Sequence, residues 1–147
     1  MDLVAPAGNV YQAGTLSANP IGMRAGLASL TKVDAIRGWA TLDRRTLEFC
    51  RQLVDGCASL EQPLDVVREG SIFWITQRSA QPVRRPDQIP SGNSEWFSRF
   101  FHAAIARGVY LPPSSYEVGF VSLAHDEATL QTAAWALVAA AREADTP

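Results

Sequence analysis

Three places in this chain carry residue types that could do chemistry. The first is the stretch Gly14-Thr15-Leu16-Ser17, small and hydroxyl-bearing, just ahead of Pro20. Pro20 suits the first position of a helix and Asn19 suits its cap. Backbone amides and hydroxyls at such a place can hold a phosphate, although the same residues also read as an ordinary helix cap. The second is Glu117, beside Tyr116 and downstream of Pro112-Pro113, which reads either as a solvated acid or as a functional carboxylate. The third is Lys32, the only lysine among thirteen cationic residues. Lysine is the side chain that forms Schiff bases with carbonyl cofactors, so its scarcity limits the covalent chemistry open to the chain.

The remaining candidates read as structural. Cys50 and Cys57 sit seven apart on a helical pattern, so their α-carbons should lie ~10 Å apart, beyond disulfide reach. They are expected to be reduced, half-buried thiols. His102 falls on an aromatic helix and His125 precedes another, and neither has a partner at metal-ligand spacing. Arg84-Arg85 reads as a solvated pair in a loop. Ser-His-Asp arrangements, a P-loop and a dinucleotide fingerprint are all missing from the sequence.

The elements that must position these residues follow from periodicity. Residues 1–19 show no regular period and hold Pro6, Gly8, Asn9 and Gly14, so an irregular leading segment is expected. A helix then runs from Pro20 to about Lys32, with Ile21, Ala25, Leu27, Ala28 and Leu30 as its apolar face. A second spans about Thr41 to Leu60, where Leu42, Phe49, Cys50, Leu53, Val54 and Cys57 recur at helical steps. Leu64–Arg68 and Ser71–Thr76 read as strands joined at Glu69-Gly70. Residues 77–93, with three prolines and Gly92, form a long loop. Ser94 opens a third helix carrying Trp96, Phe97, Phe100, Phe101, Ala104 and Ile105, and Gly108 ends it. Val109–Leu111 and Val118–Leu123 read as strands, and Asp126 caps a final helix to about Glu143. The expected fold class is α+β, with helices packed on one face of a small, largely antiparallel sheet. The division expected is a leading segment, 1–19, and a small α+β domain, 20–147.

Composition narrows the function classes. At 147 residues, 47% apolar and 19% charged, the chain is long enough for one real core. A net charge of −2 gives no electrostatic pull toward nucleic acid or an anionic membrane. No apolar run approaches the length of a membrane span, and a cytoplasmic setting fits the unpaired cysteines.

The same stretches resemble the glutamate-1-semialdehyde 2,1-aminomutase family, class III, fold-type-I enzymes that use pyridoxal 5'-phosphate. Val10-Tyr11-Gln12-Ala13-Gly14-Thr15-Leu16-Ser17-Ala18-Asn19-Pro20 is similar to one family motif, and Gly108-Val109-Tyr110-Leu111-Pro112-Pro113-Ser114-Ser115-Tyr116-Glu117-Val118-Gly119-Phe120 to a second. Gly70-Ser71-Ile72-Phe73 and the Trp96–Phe101 helix fall between them in the family's order. The resemblance covers essentially the whole chain and implies the carboxy-terminal part of such an enzyme. It implies that Gly14 and Thr15 touch the cofactor phosphate in the other subunit of a homodimer. It implies that Glu117 helps shape the site of a small-molecule substrate. Ser17, Asn19 and Ser114 match motif positions that shape loops. The family's Schiff-base lysine lies upstream, Lys32 does not match it, and the chain alone is expected to be inactive. Met1–Pro6 itself resembles internal family sequence, so a missing amino-terminal part is an expected partner. A class III aminotransferase fragment of other specificity and a non-catalytic dimerisation domain are the alternatives. Ala18 stands where the family usually has glycine, which would strain a backbone that needs positive φ.

Overall fold

The structure is a computed structural model and describes residues 1–145. Four helices and a three-stranded sheet follow one another as α1 (Pro20–Ala35), α2 (Gly38–Gly56), β1 (Leu64–Glu69), β2 (Ile72–Gln77), α3 (Asn93–Ala106), β3 (Gly119–Phe120) and α4 (Glu127–Ala144). The class is α+β, as the sequence implies. The residues group into two compact units, Met1–Arg37 and Gly38 onward, so α1 belongs with the leading segment.

The larger unit is built on the β1–β2 hairpin. The strands pair antiparallel from Leu64↔Gln77 to Glu69↔Ile72, and Gly70 at φ +55° supplies the left-handed residue in the connection. β3 adds to the far side of β2 through Ile72↔Phe120 and Phe73↔Gly119. It must lie close there, because a Cβ on Gly119 would overlap the Phe73 ring. The period-two alternation sends Phe73 and Ile75 inward and leaves Val67, Ile72 and Phe120 exposed on the other face.

Helices cover the inward face. α2 contributes Leu42, Phe49, Cys50 and Leu53; α3 contributes Trp96, Phe97 and Phe100; α4 contributes Leu130, Ala134, Leu137 and Ala141. Phe49 meets Phe73 edge-on at 5.3 Å between ring centroids, and Trp96 stacks on Phe100 at 5.1 Å. Such pairs add to the plain burial of ring area. Asn93, fully buried at the start of α3, accepts from the Thr76 hydroxyl at 3.0 Å and the Gln77 amide at 2.9 Å, which ties α3 to the end of β2. α3 ends in a Schellman arrangement: Gly108 at φ +79° donates to Ile105, and Val109 donates to Ala104. Asp126 caps α4 by accepting from the Thr129 amide at 2.8 Å.

Several expectations need correcting. Val109–Leu111 is not a strand among the described residues; its first amide is spent closing α3 and Pro112-Pro113 follows at once. β3 is two residues rather than six. α3 starts at Asn93, one residue before Ser94, and Ile105 faces outward. α1 runs three residues past Lys32, and its apolar face is not packed: none of its residues is buried. Periodicity shows which face is apolar, whereas burial also needs something to pack against. Among the described residues no helix is long and apolar enough to cross a membrane.

Candidate functional site

The leading segment holds the first candidate. The Gly14 carbonyl accepts the Ser17 amide at 2.9 Å, and the Leu16 carbonyl accepts the Asn19 amide at 3.1 Å, so two successive turns deliver the chain to α1. Asn19 then accepts the Ile21 and Gly22 amides on its side chain at 3.0 and 3.2 Å, while Pro20 has none to give. The helix-terminal donors are therefore already committed to the cap. This corrects the simplest reason for expecting an anion here. What is left open lies one turn earlier. Among the described residues, the Thr15 hydroxyl and the amides of Gly14, Thr15 and Leu16 make no hydrogen bond within the chain. All three residues are exposed. A side chain on Gly14 would meet the Ser17 hydroxyl at 2.6 Å, so glycine keeps this turn open. An exposed cluster of amides and one hydroxyl is a donor set that fits a phosphate.

Ala18 sits in the same turn at φ +58°. That is the left-handed region, where a non-glycine residue carries a cost of about 1–2 kcal/mol. Lys32 is exposed in the last turn of α1.

Glu117 lies in the other compact unit. Pro112-Pro113 leads into a turn in which the Ser114 carbonyl accepts the Glu117 amide at 3.1 Å and the Ser114 hydroxyl accepts the Tyr116 amide at 3.3 Å. Ser115 points inward and is buried, whereas Glu117 is exposed. The Glu117 carboxylate makes no hydrogen bond or ion pair among the described residues. Gly14 and Thr15 thus share one turn, while Glu117 is presented from a separate loop.

The residues set aside as structural behave so. His102 donates from Nδ1 to the Ser98 carbonyl at 2.8 Å. His125 accepts the Ser122 amide on Nδ1 at 3.0 Å, which caps the approach to α4. Both cysteines are free, as expected, but buried rather than half-buried, and burial pushes each thiol up to about 11, so neither is a ready nucleophile. Arg85 pairs with Asp87 at 3.0 Å.

Sequence reasoning missed two features. One is an open hollow of about 620 Å³ over the sheet, bordered by Ser79, Pro82, Val83 and Arg84 and lined by Trp74, Thr76 and Val118. The other is the support of the Glu117 loop: the Trp74 indole donates to the Ser115 carbonyl at 2.7 Å, and the hydroxyls of Ser115 and Ser94 lie 3.0 Å apart. Tryptophan at an outward strand position was the available signal, because its N–H must find an acceptor once half-buried.

No family model matches the chain. Individual relatives do. The chain is 48% identical over 141 residues to a glutamate-1-semialdehyde 2,1-aminomutase of Bdellovibrio bacteriovorus, covering 96% of this chain and 33% of that protein. Proteins of the same name match from Leptospira interrogans (49% identity, 86% of this chain, 29% of that protein) and Opitutus terrae (41%, 97% and 33%). A solved omega-transaminase from Sphaerobacter thermophilus superposes with a TM-score of 0.72 at 21% identity, covering 92% of this chain and 30% of that one, and so shares the fold. The chain spans about a third of the length of the curated relatives it matches. Over nearly its whole length, then, this chain is similar to glutamate-1-semialdehyde 2,1-aminomutases, and the match takes in about a third of each such protein.

Proposed function

We propose that the chain is the carboxy-terminal portion of an enzyme that converts glutamate 1-semialdehyde into 5-aminolevulinate, a step of tetrapyrrole synthesis, by intramolecular exchange of an amino group. The observation that carries this reading is identity near 50% along almost the entire chain to proteins bearing that name. Pyridoxal 5'-phosphate, when bound, supplies the electron sink for such an exchange. This chain's part is to hold and orient. The Thr15 hydroxyl and the amides around Gly14 grip the phosphate across the boundary between two subunits of a homodimer. Glu117 presents a fixed negative charge to the small substrate. The reacting lysine belongs to polypeptide outside this chain, so the chain alone is inactive and depends on the missing amino-terminal part. The open face of α1, with Met23, Leu27 and Leu30 each more than half exposed, supports such a dependence.

Reconstitution tests this. The chain combined with the amino-terminal two-thirds of an aminomutase should turn over glutamate 1-semialdehyde without an external amino donor; a requirement for a donor and acceptor would assign it to another aminotransferase. Thr15→Val keeps the β-branched shape and removes the hydroxyl, a charge-assisted bond worth about 1.5–3 kcal/mol. Cofactor affinity in the reconstituted enzyme should fall by roughly 10- to 100-fold. Ser17→Ala, in the turn itself, should change it much less. Equal dissociation constants for wild type and Thr15→Val would remove Thr15 from the site. The chain by itself, treated with pyridoxal phosphate and borohydride, should show no stoichiometric adduct on Lys32 by mass spectrometry.

A further inference from the structure

Glu117 is exposed and its carboxylate has no partner among the described residues, yet the backbone that carries it is not loose. Two elements hold it from beneath. β2 sends Trp74 out on the sheet's exposed side, and its indole N–H ends on the Ser115 carbonyl at 2.7 Å. α3 places Ser94 one residue beyond the buried Asn93, and the Ser94 hydroxyl meets the Ser115 hydroxyl at 3.0 Å. Ser115 is thereby engaged on both its main chain and its side chain, and it is buried while its neighbours Tyr116 and Glu117 are exposed. Upstream, Pro112 and Pro113 restrict the backbone before the turn. Downstream, Gly119 pairs with Phe73 at a separation no side chain would tolerate.

These tethers come from rigid structure. Trp74 sits in the hairpin opposite Val67, and Asn93 locks the start of α3 onto Thr76 and Gln77 of the same strand. β2 therefore sets both anchor points of the loop. A carboxylate meant to bind a charged group gains affinity when its backbone is ordered beforehand, because the ordering entropy is not charged to the ligand. A carboxylate that is merely solvated has no need of such support.

We infer that Trp74 is a positioning residue for the substrate site: its indole N–H, acting on the Ser115 carbonyl, fixes the turn that presents the Glu117 carboxylate. Ser94 is the second, weaker tether. The inference rests on the substrate role given to Glu117 above, but its mechanical half can be measured in this chain alone.

Trp74→Phe keeps an aromatic ring over the sheet and deletes the donor. The amides of Tyr116 and Glu117 should then exchange with deuterium roughly 10-fold faster, the size expected for one lost hydrogen bond. The amides of the β1–β2 ladder and of α2 should keep their rates. Ser94→Ala should produce a smaller rise in the same amides. Unchanged exchange at 116–117 would overturn the inference, and so would equal acceleration throughout the sheet, since that marks a merely structural tryptophan. Should Trp74→Phe not fold, the wild type still decides. The Trp74 indole proton should exchange more slowly than those of the exposed Trp39 and Trp135, and equal rates would overturn the clamp. In the reconstituted enzyme Trp74→Phe should raise KM by roughly 10-fold with kcat little changed, and Glu117→Gln should leave Trp74→Phe with little further effect. If Glu117→Gln alone leaves KM unchanged, the substrate role of Glu117 is wrong and the purpose assigned to the clamp goes with it. The exchange data separate that failure from failure of the clamp.

Discussion

The two compact units differ in how they use apolar residues. From Gly38 onward, α2, α3 and α4 each have a face that meets another element, and Leu53, Phe100 and Leu137 are completely buried. In Met1–Arg37 no residue of α1 is buried, although Ile21, Met23, Leu27 and Leu30 recur along it. The larger unit has its own core; the smaller carries an apolar face with nothing in the same unit to cover it. A helix of this kind gains little from propensity alone, since most helical stability in proteins comes from packing an apolar face. Residues 1–37 therefore have no packed core of their own among the described residues of α1.

Substitutions can break or sharpen that contrast. The largest effect is expected from Phe100→Ala, which removes a fully buried ring stacked on Trp96; denaturant unfolding should show a loss of about 3–5 kcal/mol. Leu27→Ala, a matched truncation on α1, should stay within about 0.5 kcal/mol in the same assay. A comparable loss at Leu27 would mean that α1 is packed after all. The uncovered face should also make the isolated chain self-associate, and a monodisperse monomer in light scattering across micromolar concentrations would count against this.

A second measurement reads the larger unit alone. Cys50 and Cys57 both have thiol pKa values raised from 9.0 to about 11, chiefly by desolvation, with Arg68 opposing the shift at Cys50. The folded state keeps these protons longer than the unfolded chain does. The stability linked to them is fully present below about pH 9 and is lost as pH rises toward 11. The thermal midpoint should drop over that window, and Cys50→Ala with Cys57→Ala should drop less steeply. Parallel curves would show that the thiols are not desolvated.

The smallest effect belongs to the smaller unit. Ala18→Gly should relieve left-handed strain by about 1 kcal/mol. Because no described residue of α1 is buried, that gain should appear as slower amide exchange around Ser17 and Asn19 and leave the global midpoint in place. A shift of the global midpoint instead would show that the two units unfold together.

Much of this was legible in the residues. Periods of three and four located α2, α3 and α4; Gly70 and Gly108 marked turns that do adopt positive φ; and Asn19 and Asp126 are caps with the bonds expected of them. The two motifs pointed to the family before any coordinates, because identity near one half preserves short strings of loop residues. Ala18 could be singled out for the same reason, and its φ of +58° bears out the strain suspected there.

Tertiary structure alone decided the rest. Whether an apolar stripe is buried depends on the presence of a partner surface, which a sequence pattern does not encode; hence α1 shows the period of a packed helix and none of its burial. Val109–Leu111 has strand-forming residues, yet the Schellman closure of α3 takes its first amide and two prolines end it, so a local hydrogen bond outcompeted the ladder. The support of Glu117 joins residues 74, 94 and 115, too far apart in the chain for any periodicity to connect. Only the folding of β2 beneath that loop brings an indole donor to a serine carbonyl, and that contact separates a carboxylate on a fixed backbone from one on a loose turn.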